Sequence, residues 1–363
     1  MNLLCFALGT RPEIIKLAPL LRRVVHRRLP FLLVHTDQHF DYVMDDVFFE
    51  ELGLPQPTHH LHAAGRSHGD MLHKMFREYE QLFREIHPAA LIVQGDTNST
   101  FASTFAASRH NIPVAHVEAG LRSFDRNMPE EVNRVLTDQI ADRLYAPTVE
   151  HAERLIMEGV GVEKILVTGN TIVDAVSEYR DRALSTPLPP RILQVIAQPY
   201  AVLTFHRPAL VDDRKTLLTL LSVVDHALQG QSLRGILLVH PRTRRQLGGE
   251  RRNFRALLLH DPIGYLQMLR LLQGAKLIIT DAGGLQEEAA LLHVPCVTVR
   301  KNTERPETIY AGGNRVVGFE SAAIRQAIID FTNDAHIVWS SLYGVTNPSD
   351  TILADLYSRY GFE

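Results

Sequence analysis

Short apolar runs alternate with longer stretches of helical periodicity along the whole chain. Residues 3–8, 31–34, 91–93, 114–117, 143–146 and 165–167 read as buried strands. Helical patterns fall between them at 14–25, 68–87, 99–109 and 150–158, and another opens at Glu130 after Pro129. In the 68–87 stretch, Met71, Leu72, Met75, Phe76, Tyr79, Leu82, Phe83 and Ile86 mark one apolar face. The proline-rich segment 185–190 reads as a surface connection, and the same grammar then restarts. Strands are expected at 200–205, 235–240, 277–280 and 294–299, and helices at 215–228, 265–272, 285–292, 321–333 and 351–360. Strands alternating with helices imply an α/β fold with parallel sheets, and 363 residues suit two domains. The expectation is two doubly wound, Rossmann-like domains, 1–170 and 171–350, the change lying somewhere between about 168 and 190. Such a design places its ligand in the cleft between domains.

Chemistry-bearing residues sit where this pattern breaks. Asp96 follows the apolar run 89–93, Glu118 follows 113–117, and Glu130 opens a helix with Glu131 beside it. In an open parallel sheet the C-terminal strand ends face the ligand crevice, so these carboxylates are candidates for proton transfer. Asp96 and Glu130 could equally be ordinary charges at helix N-termini. Gly9-Thr10-Arg11-Pro12-Glu13 is a glycine turn entering a helix, with Arg11 and Lys16 as candidate cations. Asp281-Ala282-Gly283-Gly284 lies between strand and helix, where backbone N–H groups can meet a phosphate; it could also be only a tight turn. Glu287-Glu288 follow one turn later, suited to ribose hydroxyls or to a plain first-turn charge. His206-Arg207 end a strand and offer cationic donors or a titratable acid. Thr303 to Glu307 again set charge at this end, or simply pair among themselves. No G-x-G-x-x-G or G-x-x-x-x-G-K-[ST] is present, which argues against a standard dinucleotide or ATP site.

Composition narrows the classes. The chain is 45% apolar and 22% charged with a net charge of −3, so neither nucleic acid nor an anionic membrane is an expected partner. The apolar N-terminal run is too short for a signal peptide or a membrane span. Cys5 and Cys296 each sit in an apolar run, which fits buried thiols and a reducing cytoplasm. Eighteen histidines is a high count, but no HExxH or CxxC spacing organises them, so no metal ligand is assigned.

The segments GTRPEIIKLAPL, QHFDYVM, QGDT, HVEAGLRSFDRNMPEEVNR, TGNTIVDA, DPIGYL, DAGGLQEE and NTERPE occur in an order that resembles the UDP-N-acetylglucosamine 2-epimerases. The resemblance runs from about Gly9 to about Gly318. It implies a GT-B-like pair of Rossmann-like domains with the last helix, 351–363, packed back on the first. It also implies a homodimer, no metal and no cofactor. The implied reaction inverts C2 of a UDP-sugar by eliminating UDP and adding it back; a hydrolysing branch adds water instead. On this resemblance Asp96, Glu118 and Glu130 match acid/base carboxylates, and His206 matches the histidine that assists diphosphate departure. Arg11, Lys16, Arg207, Ala282, Gly283 and Gly284 match the diphosphate surroundings. Glu288 matches the ribose carboxylate, Tyr265 the uracil segment, and Gln38 and His39 part of a regulatory site. Three positions depart from the family pattern: Ala282 in place of serine, Pro208-Ala209-Leu210 in place of x-Glu-Asn, and Lys301 in place of an acidic residue. They leave open a hydrolysing enzyme, a 2-epimerase for a modified nucleotide sugar, a GT-B glycosyltransferase, and a non-catalytic nucleotide-sugar binder.

Overall fold

A computed structural model describes residues 3–37, 42–63, 65, 67–248, 254–333, 337–340, 342–343 and 346–361, with backbone alone for 42–46. Gln38 and His39 lie outside the described residues. The chain divides into two compact units: Met1–Glu178 with Tyr343–Glu363, and Tyr179–Leu342.

The first unit runs β1 (Leu4–Leu8), α1 (Arg11–His26), β2 (Phe31–His35), α2 (Tyr42–Leu52), β3 (His59–His60), α3 (His68–Glu85), β4 (Ala90–Gln94) and α4 (Asn98–Arg109). It continues with β5 (Val114–Val117), α5 (Pro129–Ile140), β6 (Arg143–Ala146), α6 (Val149–Met157), β7 (Ile165–Val167) and the start of α7 (Ile172–Ser185). The second unit holds α8 (Pro190–Ile196), β8 (Tyr200–Phe205), α9 (Pro208–Val211), α10 (Arg214–Gly230), β9 (Arg234–Val239), α11 (Pro241–Leu247), β10 (Leu257–His260) and α12 (Tyr265–Gly274). Its remaining elements are β11 (Leu277–Thr280), α13 (Gly283–Leu291), β12 (Cys296–Thr298), α14 (Pro306–Tyr310), β13 (Asn314–Val316) and α15 (Ser321–Asn333). The last helix, α16 (Pro348–Tyr360), belongs to the first unit.

Each unit is one parallel sheet, ordered β3-β2-β1-β4-β5-β6-β7 in the first and β10-β9-β8-β11-β12-β13 in the second. Both orders reverse direction once, between β1 and β4 and between β8 and β11. At such a switch point adjacent crossovers leave to opposite faces and a crevice opens at the C-terminal strand ends. Alternation within the second unit's strands shows why both faces are covered. Ala201, Leu203 and Phe205 enter one apolar core with Leu237, Val239 and Ile279; Tyr200 and Val202 enter the other with Ile236, Leu238 and Ile278. A fully buried Leu or Ile contributes roughly 1.5–3 kcal/mol, so this two-sided filling stabilises the sheet.

Strand boundaries expected from the pattern hold within a residue or two, but several elements escaped it. β3 is two residues long, β10 carries His260 and lies at the sheet edge, and β13 follows what read as the last strand. The proline segment at 185–190 ends in a helix, because Pro190 takes the first helical position, where no N–H is needed. The change of unit falls at 178/179, within α7. α16 is held to α1 and the first sheet by ion pairs. Arg23 reaches Asp350 at 2.9 Å, while Arg143 and Tyr145 both bind the carboxylate of Asp355 at 2.7–2.9 Å. Both cysteines are buried free thiols, and burial pushes Cys296 up to about 12. Among the described residues, no helix is long and apolar enough to cross a membrane.

Candidate active site

In the first unit the carboxylates at the ends of β4 and β5 are held by different partners. Glu118, just after β5, is 5% exposed and sits at φ +71°, a left-handed conformation that costs a non-glycine residue energy. The surroundings hold it there. Lys16 of α1 makes a buried ion pair with its Oε2, Gln94 donates to the same oxygen at 2.9 Å, and Asn170 approaches at 3.5 Å. The structure thus joins two residues expected at the site, Lys16 and Glu118. Arg11, one turn before Lys16, lies over the Phe48 ring at 5.3 Å.

Asp96, after β4, is a quarter exposed and paired with Arg134 of α5. Arg134 also pairs with Glu131, so its buried guanidinium joins the β4 loop to the start of α5. Asp96 does not cap α4. That role belongs to Thr97, whose hydroxyl accepts from the Thr100 N–H at 3.1 Å. Glu130 and Glu131 part company: Glu131 is buried and accepts from the Ser123 and Phe124 N–H groups at 2.9 Å, anchoring that loop, whereas Glu130 is half-buried at the second position of α5.

Behind these loops lies a buried frame. His116, in mid β5 and fully buried, points Nδ1 at Asp138 (2.7 Å) and Nε2 at the Gly95 carbonyl (2.8 Å). Both neighbours are acceptors, so each ring nitrogen faces an oxygen. Asp138 also accepts from the Gly120 N–H and pairs with Arg122 at 2.7 Å. Burial works to raise its carboxyl, but the charge and hydrogen bond of His116, with Arg122, hold it below the ordinary value of 3.8. This one network therefore ties the turn before Asp96 to the turn after Glu118. Glu13 performs a second tie, accepting from Gly9 N–H, Thr10, Thr97 and Thr100 at 2.7–3.0 Å; burial nonetheless raises its pKa. Gly9 has to be glycine, since a Cβ there would collide with the Thr36 and Ser99 hydroxyls.

The second unit is built the other way round. Asp281, after β11, is fully buried and accepts from the His206 and Arg207 backbone N–H groups at 2.8–3.1 Å, while His206 Nδ1 stands 3.2 Å away. Burial opposes its charge, but these donors outweigh it and lower its pKa below 3.8. The carboxylate is thus spent on positioning the loop after β8. That loop departs from the family pattern with a physical result: Pro208 starts α9, and Leu210 and Val211 are buried in the apolar core. Ala282 is the N-cap residue of α13 and supplies no side-chain cap, so a serine there would have had a defined place. Gly283 allows a close approach, since a Cβ would lie 2.7 Å from Glu304 Oε1 and 2.9 Å from Arg305 Nη1.

Glu288 and Tyr265 are both buried and face one another. Burial first, then the charge and hydrogen bond of Glu288, raise the Tyr265 phenol well above its ordinary value. The ribose and uracil candidates are thus brought together. The charges at 303–307 pair with one another and with arginines outside the segment: buried Glu304 meets Arg305 at 2.9 Å, Arg300 at 2.7 Å and Arg207 at 3.5 Å, which holds its carboxyl well down despite burial. Lys301 is exposed.

Glu13, Gln94, His116, Arg134, Asp138 and Asn170 were not singled out as candidate site residues by sequence reasoning. One carried a signal: His116 interrupts an apolar strand. The others each take a partner distant in sequence.

The family model described as UDP-N-acetylglucosamine 2-epimerase matches residues 23–356. A UDP-N-acetylglucosamine 2-epimerase of Methanocaldococcus jannaschii is 40% identical over 371 residues, covering 98% of this chain and 100% of the relative. The crystal structure of that archaeon's enzyme in complex with UDP-GlcNAc and UDP superposes with a TM-score of 0.91 at 39% identity, covering 99% of this chain and 100% of that one. A UDP-2,3-diacetamido-2,3-dideoxy-D-glucuronate 2-epimerase of Pseudomonas aeruginosa is 38% identical over 327 residues, 89% of each chain.

Proposed function

The chain belongs to the UDP-N-acetylglucosamine 2-epimerase family, and from that premise we propose that it interconverts UDP-N-acetylglucosamine and UDP-N-acetylmannosamine without net hydrolysis. The acetamido group joins C2 through nitrogen, so the C2 proton is not acidic and simple abstraction and return is poor chemistry. Elimination solves this. The C2–H bond breaks with its proton passing to a carboxylate, the C1–O bond breaks with its electron pair leaving on UDP, and a C1=C2 double bond forms. Re-addition of UDP, with the proton delivered to the opposite face, gives the epimer.

The observation that carries this reading is Glu118, a buried carboxylate at a strained backbone position, fixed by Lys16 and Gln94. Glu118, Asp96 and Glu130 are the proposed proton-transfer groups. His206 is the proposed acid for the departing diphosphate, with Arg207, the uncapped start of α13 at Ala282-Gly283-Gly284, and the Arg11 and Lys16 cations balancing its charge. Glu288 would take the ribose and Tyr265 would stand by the uracil. The protein is proposed to work as a homodimer in a reducing cytoplasm, which light scattering and fractionation test.

Proton NMR of the protein with UDP-N-acetylglucosamine in D2O is the deciding experiment. Deuterium at C2 together with UDP-N-acetylmannosamine is the expected result. Free N-acetylmannosamine plus UDP would select the hydrolysing reaction, and absence of exchange and product would overturn the substrate. A second reading, a 2-epimerase for a modified nucleotide sugar, is favoured by the altered Pro208–Leu210 turn and Ala282 and by the Pseudomonas relative. Turnover of a diacetamido uronate substrate in preference to UDP-N-acetylglucosamine would establish it.

A further inference from the structure

The C-terminal ends of β2 and β3 gather histidines around a single carboxylate. In the parallel register of these strands His35 lies directly beside His60. The pairing continues past the strands, with the Leu61 N–H donating to the His35 carbonyl and the Ala63 N–H to the Thr36 carbonyl, both at 3.0 Å. Asp37 and His62, two residues beyond each of that pair, both adopt left-handed backbone at φ +51° and +47°. All three rings turn the same nitrogen to Asp37. His35 Nδ1 and His60 Nδ1 stand 2.6 and 3.0 Å from its Oδ1, and His62 Nδ1 stands 2.8 Å from its Oδ2. His35 and Asp37 are buried, the His35 ring has Phe49 edge-on at 6.0 Å, and His62 closes the group on the solvent side.

We propose that His35, Asp37 and His60, with His62 as a fourth ligand, bind a transition-metal dication of the zinc class. The donor chemistry selects the ion. Imidazole nitrogen with one carboxylate suits zinc and its neighbours, whereas calcium and magnesium require oxygen sets. The ligating atoms of His35, Asp37 and His60 all lie within 4.8 Å of one another. Metal–nitrogen bonds of 2.0–2.1 Å put tetrahedral ligands about 3.3 Å apart, so the nitrogen–oxygen spacings of 2.6 and 3.0 Å would open by about 0.3–0.7 Å around an ion. The backbone ladder between β2 and β3 supplies the rigid support a ligand set needs. The bound ion would cross-link the two strand ends. The sequence expectation of no metal rested on HExxH and CxxC spacings. This set has a different one, His35-x-Asp37 with His60-x-His62, split across two strands.

The full-length protein, stripped with EDTA and dialysed, is titrated with ZnCl2 by calorimetry, and retained metal is measured by mass spectrometry. Cobalt(II) loading adds a visible spectrum that reports tetrahedral nitrogen and oxygen ligation. One tightly held ion per chain is expected. His60→Gln should abolish stoichiometric retention, and His62→Gln, at an exposed position that leaves folding intact, should weaken zinc affinity at least about tenfold. His59→Gln, the neighbour outside the set, should change nothing. Lack of stoichiometric zinc in the wild-type protein, or binding unaltered in both His60→Gln and His62→Gln, would overturn the site in favour of a carboxylate merely hydrogen-bonded by imidazoles.

Discussion

The two sheets share one topology, and the carboxylates at their C-terminal strand ends differ in what they do. After β5 in the first unit, Glu118 is buried and gripped by side chains, with lysine and amide partners holding it at a strained backbone position. After β11 in the second unit, Asp281 is turned inward onto two backbone N–H groups and His206, so the loops there present donors and cations. Topology decides where a crevice lies, and the hydrogen-bond partners of each strand-end carboxylate decide its polarity. That contrast matches the two halves of the proposed reaction, proton transfer on one hand and stabilisation of a leaving diphosphate on the other.

Removing the Glu118 carboxylate tests the first half most sharply. Glu118→Gln should lower kcat by roughly 10²–10⁴-fold, the range of a lost general acid or base, in a protein that stays folded by circular dichroism but melts lower because the Lys16 charge loses its partner. Activity near wild type would end its catalytic assignment. Lys16→Met, which leaves that buried charge unpaired, should cost stability as well as rate, about 3–5 kcal/mol by chemical denaturation. If the melt were unaffected, the ion pair would not be what holds the strained turn.

In the second unit Asp281→Asn keeps the shape but loses the charge, so about 1.5–3 kcal/mol of stability should go, with a raised KM for the nucleotide sugar. Both Asp281 and Asp138 have folded-state values lowered from 3.8. Their contribution is therefore fully present above pH 3.8 and lost as pH falls below it towards the lowered values. Thermal melts should drop steeply in that acid window, and less steeply in Asp281→Asn; equal slopes would show that Asp281 is not a source of the acid sensitivity. The smallest expected effect is that of Ala282→Ser. Supplying the missing cap should add about 0.5–1 kcal/mol to α13 and change UDP affinity by no more than about tenfold, read by calorimetry.

Much of this was legible from periodicity. Apolar runs ending in Asp96, Glu118, His206 and Asp281 announce strands whose ends matter, because burial on both faces makes each run nearly continuous. What escaped were elements that bury little, such as β3 and β13, and residues whose meaning lies in a remote partner. Arg134 reads as one more helix charge until it is seen between Asp96 and Glu131. Glu130 and Glu131 are adjacent and identical in type, yet only one is consumed by the Ser123–Phe124 loop.

By itself the sequence determined the alternation of strand and helix, the family, and the positions where carboxylates and glycines meet strand ends. These are local properties, written in period and composition. Tertiary structure alone decided which of those carboxylates is gripped by side chains and which by backbone N–H groups. It also decided that His116 links the turns beside Asp96 and Glu118 and that His35 and His60 stand side by side. Hydrogen bonds between residues 20 to 100 positions apart depend on strand order, and no periodicity along one strand encodes its neighbour.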